Sequence, residues 1–164
     1  MTSCQSATIY LPTADATALF AQQLAPHLKP GNTILLSGEL GSGKTHFARA
    51  LIGARLIKAG HFEDIPSPTY TLVQSYFDGT HDIWHADLYR LTDPEEIVEL
   101  GLTDAMQDCI CLIEWPDRLG TYRPKDALRI ELNFSENHNA RTAQLSFRPL
   151  RWAFLQPIVD QHCV

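Results

Sequence analysis

The sequence predicts a three-layer α/β fold with a mixed, largely parallel central sheet and antiparallel hairpin elements, and three observations predict it. Apolar runs of strand length alternate along the chain with stretches of helical spacing. The run Thr33-Ile34-Leu35-Leu36-Ser37 is almost continuously apolar, as a strand covered on both faces must be. Gly38, Gly41 and Gly43 follow it at once and precede a second helical stretch, so the chain turns tightly from strand into helix.

Taken in order, residues 8–11 read as a first strand. Thr13 can cap a helix over 14–28, where Leu19, Phe20, Leu24 and Leu28 recur at helical spacing. Lys29-Pro30-Gly31-Asn32 is a turn, residues 33–37 are the buried strand, and residues 44–58 form the second helix. A loop over 60–69 leads to two strands, 71–77 and 82–87, separated by Asp78-Gly79-Thr80 in the manner of a hairpin. Asp93-Pro94-Glu95-Glu96 starts a helix: Asp93 caps it, Pro94 fits its first turn, and the glutamates favour the positive end of its dipole. Residues 108–114 form another buried strand, ended by Trp115-Pro116. After a turn over 122–126, residues 127–134 and 141–148 make an antiparallel pair. Residues 150–164 are expected to be helical, with Pro157 kinking or interrupting them.

With 164 residues, 45% hydrophobic and 20% charged, the chain reads as a single domain over 1–164, residues 149–164 being a C-terminal tail. The formal net charge is −6. Direct binding to DNA or RNA is excluded by that balance, because a phosphate backbone needs clustered Lys and Arg. The charge is uneven: residues 1–77 carry +1, residues 78–117 carry −10 with Arg90 their only Lys or Arg, and residues 118–164 carry +3. The acidic middle is either a solvated face or a place where a partner or metal docks. The opening residues carry neither a basic nor an apolar signal segment, and no apolar run reaches membrane-spanning length, so a cytoplasmic protein without a membrane association is expected. Four cysteines, Cys4, Cys109, Cys111 and Cys163, are too few and too irregular for a disulfide scaffold or paired zinc motif and are read as thiols. Cys109 and Cys111 fall on one face of a strand, as small core residues.

The chemistry concentrates in Gly38-Glu39-Leu40-Gly41-Ser42-Gly43-Lys44-Thr45, which fits G-x-x-x-x-G-K-[ST] at every specified position and lies between a strand and a helix. Glycines let consecutive backbone N–H groups converge on phosphate oxygens. The helix beginning at Lys44 adds its dipole, Lys44 supplies charge to the β and γ phosphates, and the Thr45 hydroxyl can ligate Mg²⁺. His46, next in the helix, joins residues 38–45 as a candidate nucleotide contact. These residues make the fold P-loop NTPase-like.

Hydrolysis also needs an acid for Mg²⁺ and a group that positions water. Glu114 ends the apolar strand Cys109-Ile110-Cys111-Leu112-Ile113, at the strand edge where α/β sheets gather ligand groups, and is the candidate second metal group. Asp87 closes His85-Ala86-Asp87; it can reach the same metal or orient the attacking water, or else cap a turn or pair with Arg90. The Thr69 hydroxyl in Ser67-Pro68-Thr69-Tyr70 can meet the γ-phosphate or the metal and become ordered with triphosphate bound. His85 and Asp87 share a strand face, but two such residues do not make a metal site. Trp115 either stacks by the nucleotide or fills core. No Asn-Lys-x-Asp element reads guanine, which favours ATP.

Together with the P-loop, the segments Ser67-Pro68-Thr69-Tyr70-Thr71-Leu72, His85-Ala86-Asp87-Leu88-Tyr89-Arg90, Asp93-Pro94-Glu95-Glu96 and Glu114-Trp115-Pro116 closely resemble the TsaE family, formerly YjeE. That resemblance implies a cytoplasmic Mg-dependent ATPase of bacterial threonylcarbamoyl-adenosine formation beside the tRNA anticodon. It implies a nucleotide-dependent switch that binds TsaB and TsaD and meets tRNA only through them. By the same resemblance Thr45 and Glu114 go to Mg²⁺, Thr69 to a switch-like loop and Asp87 to the catalytic region, with Lys44 on the phosphates. A P-loop small-molecule kinase and a nucleotide-gated binding module that does not depend on hydrolysis are the competing readings.

Overall fold

The computed structural model describes residues 3–162. Their elements are β1 (Gln5–Leu11), α1 (Ala14–Leu24), β2 (Thr33–Ser37), α2 (Lys44–Lys58), β3 (Val73–Phe77), β4 (Asp82–Asp87), α3 (Glu96–Glu99), α4 (Leu102–Asp108), β5 (Ile110–Glu114), β6 (Leu128–Phe134), β7 (Arg141–Phe147) and α5 (Leu155–His162). All seven strands join one sheet in the order β1-β7-β6-β2-β5-β4-β3. The four central strands β6, β2, β5 and β4 run parallel, and antiparallel pairing extends the sheet at both ends. The expected mixed sheet and both hairpin pairs are therefore present.

Alternation along the central strands builds the layers. Ile34 and Leu36 of β2 and Ile110 and Leu112 of β5 face one side, where Phe20, Leu24, Phe47, Leu51 and Trp152 pack against them. Leu35, Cys111 and Ile113 face the other, against Ile97 and Leu102 of the two short helices and Leu119 of the 3₁₀ segment Pro116–Tyr122. Strands buried on both faces can only be near-continuously apolar, which is why β2 and β5 stand out in the sequence. Cys111 is fully buried in β5, whereas Cys109, expected on the same strand face, caps the end of α4 and is only half-buried; burial pushes both thiols up.

Several boundaries move for identifiable reasons. β1 begins at Gln5, three residues before its expected start, because Gln5, Ser6 and Ala7 pair with Phe147, Ser146 and Leu145 of β7. Thr13 caps α1 as expected, its side chain accepting from the Ala16 amide at 3.0 Å. The helix stops at Leu24 and continues as a 3₁₀ turn, Ala25–His27, because Pro26 cannot donate and its ring crowds the preceding turn. Asp93 does not cap the helix as expected: its side chain accepts from the Glu95 amide at 2.9 Å and closes a turn that still contains Pro94, while the helix starts at Glu96, with Glu95 at its N-cap and no side-chain cap, and lasts only through Glu99. Gly101, at φ +80°, breaks it, and α4 restarts at Leu102. The strands expected from 71 and 108 begin at Val73 and Ile110, since Leu72 turns left-handed at φ +66° and Asp108 belongs to α4. In α5, Pro157 sits in the first turn, where an N–H would have no helical partner, so it neither kinks nor interrupts the helix. Residues 163 and 164 of the expected terminal helix, Cys163 included, and the first two residues of the opening segment lie outside the described residues. No described helix is long and apolar enough to cross a membrane.

One buried ion pair ties the hairpin β3–β4 to α2. Arg55 Nη2 lies 2.7 Å from Asp78 Oδ2 while Nη1 donates to the Ala25 carbonyl at 2.6 Å. Burial pushes the Asp78 carboxyl up, but the His81 and Thr80 amides and the Arg55 guanidinium outweigh it and hold the carboxyl below its ordinary value of 3.8. A depressed native value stabilises the fold above the unfolded value and loses that stabilisation as the pH falls through the native one. Urea unfolding of the native chain and of Asp78→Asn is therefore expected to differ at neutral pH and to converge below about pH 4.

Candidate nucleotide and metal site

The site lies at the carboxyl edge of β2, β5 and β4. In the turn between β2 and α2, Gly38, Gly41 and Gly43 adopt φ of +139°, +81° and +109°, values that L side chains rarely take. At Gly38 a Cβ would stand 2.4 Å from the Leu132 carbonyl oxygen, so only glycine lets the loop lie this close to β6. The loop amide of Ser42 donates to the Glu39 carbonyl at 3.0 Å, closing the turn, and α2 begins at Lys44.

Parallel pairing of β4 with β5 places Asp87 opposite Glu114 and His85 opposite Leu112. His85, Asp87 and Glu114 thus share the face that α2 covers, with His85 one diagonal step from Glu114. Glu114 is 2% exposed and fully engaged. It accepts from the Thr45 hydroxyl, at 2.8 Å to Oε1 and 3.0 Å to Oε2, and from His85 Nε2 at 2.7 Å. A carboxylate is an acceptor only, so His85 carries its proton on Nε2; its Nδ1 is buried without a partner among the described residues. Asp87 accepts from the Tyr89 amide at 3.0 Å and from the Thr69 hydroxyl at 3.3 Å, and Ser67 Oγ lies 2.7 Å from Thr69 Oγ1. The alternative pairing of Asp87 with Arg90 does not form: Arg90 donates to the Tyr70 carbonyl at 2.8 Å and lies over the Tyr70 ring.

Lys44 is buried, its ammonium donating to the Gly38 and Glu39 carbonyls at 2.7 and 3.0 Å and standing 4.3 Å above the Trp115 ring. Burial pulls the ammonium below the ordinary lysine value, and the Glu114 and Asp87 charges oppose that shift. Trp115 is half-buried and stacks obliquely with Tyr89, centroids 4.9 Å apart. Its backbone is left-handed at φ +58°, and the other non-glycine residue with positive φ among the described residues is Leu72, whose carbonyl accepts from the Asp87 amide at 2.8 Å. Both unusual backbone positions thus adjoin the acids, where local strain is characteristic of working sites.

A pocket of about 450 Å³ brings together Leu40, Gly41, Gly43, Lys44, Thr45, His46, Thr69, Asp87, Tyr89, Glu114 and Trp115. All the candidate catalytic and metal residues therefore line one cavity. His46 sits at its wall with Nε2 2.9 Å from the Ala14 carbonyl oxygen, joining α2 to the start of α1. The residues fit a nucleotide phosphate with Mg²⁺: the glycine cradle admits close approach, Ser42 Oγ is buried with no partner among the described residues, and Thr45 and Glu114 offer the hard oxygen donors Mg²⁺ prefers. No group of three or more His, Cys, Asp or Glu side chains that could hold a metal occurs among the described residues. A cation here would take only a partial shell from protein, as metals do when phosphate completes it.

Two engaged residues are not legible as such in the sequence. His85 was visible as a strand neighbour of Asp87, but its tie to Glu114 needs the β4–β5 register. Tyr89 stands in the segment 85–90 that carries the resemblance, but its stacking on Trp115 and the donation of its amide to Asp87 are set by the fold.

A parallel sheet core, a glycine-rich turn leading from β2 into α2, and a hydroxyl and two acids gathered at the strand ends define a P-loop protein of the ATPase type. Residues 11–143 match the family model described as threonylcarbamoyl adenosine biosynthesis protein TsaE. The chain belongs to the TsaE family. It is similar to the tRNA threonylcarbamoyladenosine biosynthesis protein TsaE of Rickettsia bellii, 39% identical over 77% of this chain and 86% of that one. The protein of the same description from Haemophilus influenzae is 33% identical over 86% of this chain and 89% of its own. Among solved structures, Bacillus subtilis YdiB shares the fold with a TM-score of 0.77 over 98% of this chain and 97% of that one, at 22% identity.

Proposed function

We propose that the chain is a Mg-dependent ATPase of tRNA threonylcarbamoyl-adenosine formation, acting in the cytoplasm as a nucleotide-dependent switch on TsaB- and TsaD-type partners. The observation that carries this reading is the Thr45 hydroxyl bonded to the buried Glu114 carboxylate beside Lys44, in the pocket that the phosphate loop opens onto.

Thr45 and Glu114 would hold Mg²⁺, which when bound offsets phosphate charge. His85 fixes the Glu114 carboxylate in orientation from behind. Lys44 exchanges the loop carbonyls of Gly38 and Glu39 for phosphate oxygens, a change its buried ammonium favours because full negative charge replaces carbonyl dipoles. Asp87, oriented by the Tyr89 amide, accepts a hydrogen bond from the attacking water and aligns it. Thr69, bonded to Asp87, links the state of the nucleotide to the loop over 67–72; its exchange of Asp87 for a phosphate oxygen moves that loop.

The acidic segment supplies the partner surface of this reading. Glu95 and Glu99 are exposed on and before α3, with Glu96 half-buried beside them, and Glu95 holds the Tyr122 hydroxyl at 3.2 Å. Charge reversal at Glu95, Glu96 and Glu99 is expected to weaken binding to the TsaB–TsaD pair while leaving ATP affinity intact, read by titration of each. Unchanged partner binding would leave these acids to solubility alone. The switch itself predicts different partner affinities with ATP and with ADP bound, and equal affinities would remove it.

A further inference from the structure

The phosphate loop is gripped from outside by a residue no motif contains. Arg141 opens β7, ninety-nine residues after Ser42, and spends every donor nitrogen of its guanidinium on backbone carbonyls. Nε donates to Ser42 O at 3.1 Å and Nη2 to Gly41 O at 3.2 Å. Nη1 donates to His138 O at 2.6 Å and to Ala140 O at 2.9 Å, within the β6–β7 turn. The guanidinium also lies 4.3 Å above the ring of Phe134, its register partner on β6, and that ring is the nearest neighbour of the Gly41 α-carbon's open side.

In a trans peptide the carbonyl and the following N–H point to opposite sides, and every described peptide is trans. Drawing the Ser42 carbonyl outward to Arg141 therefore turns the Gly43 amide the other way, and Gly43 lines the pocket. Drawing the Gly41 carbonyl outward likewise turns the Ser42 amide inward, where it closes the turn on Glu39. Three glycines at positive φ leave this loop with little conformational restraint of its own. A planar fork anchored to a hairpin supplies the restraint, and lysine cannot imitate it, having one nitrogen where arginine has three.

We propose that Arg141 is a positioning residue for phosphate binding: from the β6–β7 hairpin it holds the Gly41 and Ser42 carbonyls so that the turn stays closed and the Gly43 amide is set for an anion before nucleotide arrives. The inference rests on the nucleotide-binding reading of the loop. Its role is preorganisation, so its removal is felt in affinity for the phosphate portion of the nucleotide and in the order of the free loop, rather than in the sheet.

The test uses the full chain and three measurements. Titration with ADP should show Arg141→Met binding about tenfold or more weakly, with Arg141→Lys similarly weak because it keeps the charge but not the fork. Amide hydrogen exchange of the nucleotide-free protein should quicken over residues 41–44 in both variants and stay unchanged in β5. In the unaltered protein, the Arg141 Nε–H should exchange slowly and its guanidinium rotate slowly in nuclear magnetic resonance spectra, an observation that needs no variant to fold. Native ADP affinity in a folded Arg141→Met protein overturns the proposal, as does full recovery by Arg141→Lys or a freely exchanging guanidinium in the unaltered chain. Failure of the unaltered chain to bind ADP at all instead overturns the nucleotide reading on which it rests, and the two failures are told apart by that one titration.

Discussion

Glu114→Gln is expected to lower phosphate release from Mg-ATP by about 10²-fold or more, a loss of the size seen when one preorganised polar group is removed from an active site. The substitution keeps volume and removes charge. It also unsettles both neighbours. With the new amide NH₂ toward His85, two donors face each other, and relief requires moving the His85 proton to Nδ1, which is buried without a partner among the described residues. With the amide oxygen toward His85, the NH₂ donates to Thr45 Oγ1 and occupies the oxygen intended for the metal. Either orientation spoils the metal side of the site while leaving the glycine turn and Lys44 in place. ADP affinity measured without Mg²⁺ should therefore stay within a few-fold of native, and only the Mg²⁺-dependent part of binding should fall. Loss of ADP binding without the metal would show that Glu114 serves the loop's structure instead.

Lys44→Ala is expected to act on the other half of the site, weakening ATP and ADP alike. On binding, the ammonium would exchange its two bonds to the Gly38 and Glu39 carbonyls for charge-assisted bonds to phosphate oxygens, each of the kind worth roughly 1.5–3 kcal/mol, so affinity should fall by on the order of 10²-fold and phosphate release should vanish. The apo protein feels the change as well, since Glu114 and Asp87 lose a cation beside them. Lys44→Met fills the space over the Trp115 ring without charge; if affinity depends on the ammonium, it behaves like the alanine variant. Recovery of nucleotide binding by methionine would mean that the stem's packing on Trp115, and not its charge, carries the effect.

What could be read in advance followed from local rules. The apolar run of β2, the glycines after it and the acid at the end of β5 are short-range signals, and the structure brings their residues into one pocket. Thr13 behaved as an N-cap because capping needs only a hydroxyl and the next turn of chain. What escaped reading depends on distant partners. Gln5, Ser6 and Ala7 show no strand pattern of their own and are strand because β7 lies beside them. The helix expected from Asp93 starts only at Glu96 and is one turn long, because Gly101 takes a left-handed turn against Trp84, a contact made by tertiary packing. His85 reaches Glu114 only through the β4–β5 register. Arg141 stands at the start of an ordinary polar strand, and nothing within its neighbourhood in sequence indicates that its fork reaches back to Gly41 and Ser42.

The acidic balance of the chain also takes on structure. Asp87 and Glu114 are buried at the site, where Lys44 offsets them, while the exposed acids around α3 stand apart on the surface. A protein of this charge can serve a tRNA modification without touching tRNA, provided its partners hold the nucleic acid.

The central claim, that this pocket hydrolyses ATP in service of the modifying complex, is tested most directly by phosphate release from Mg-ATP with the TsaB and TsaD partners present, compared between the unaltered chain and Lys44→Ala. Release that rises when both partners are added and disappears in Lys44→Ala is the result predicted. Equal release by the two proteins would contradict it.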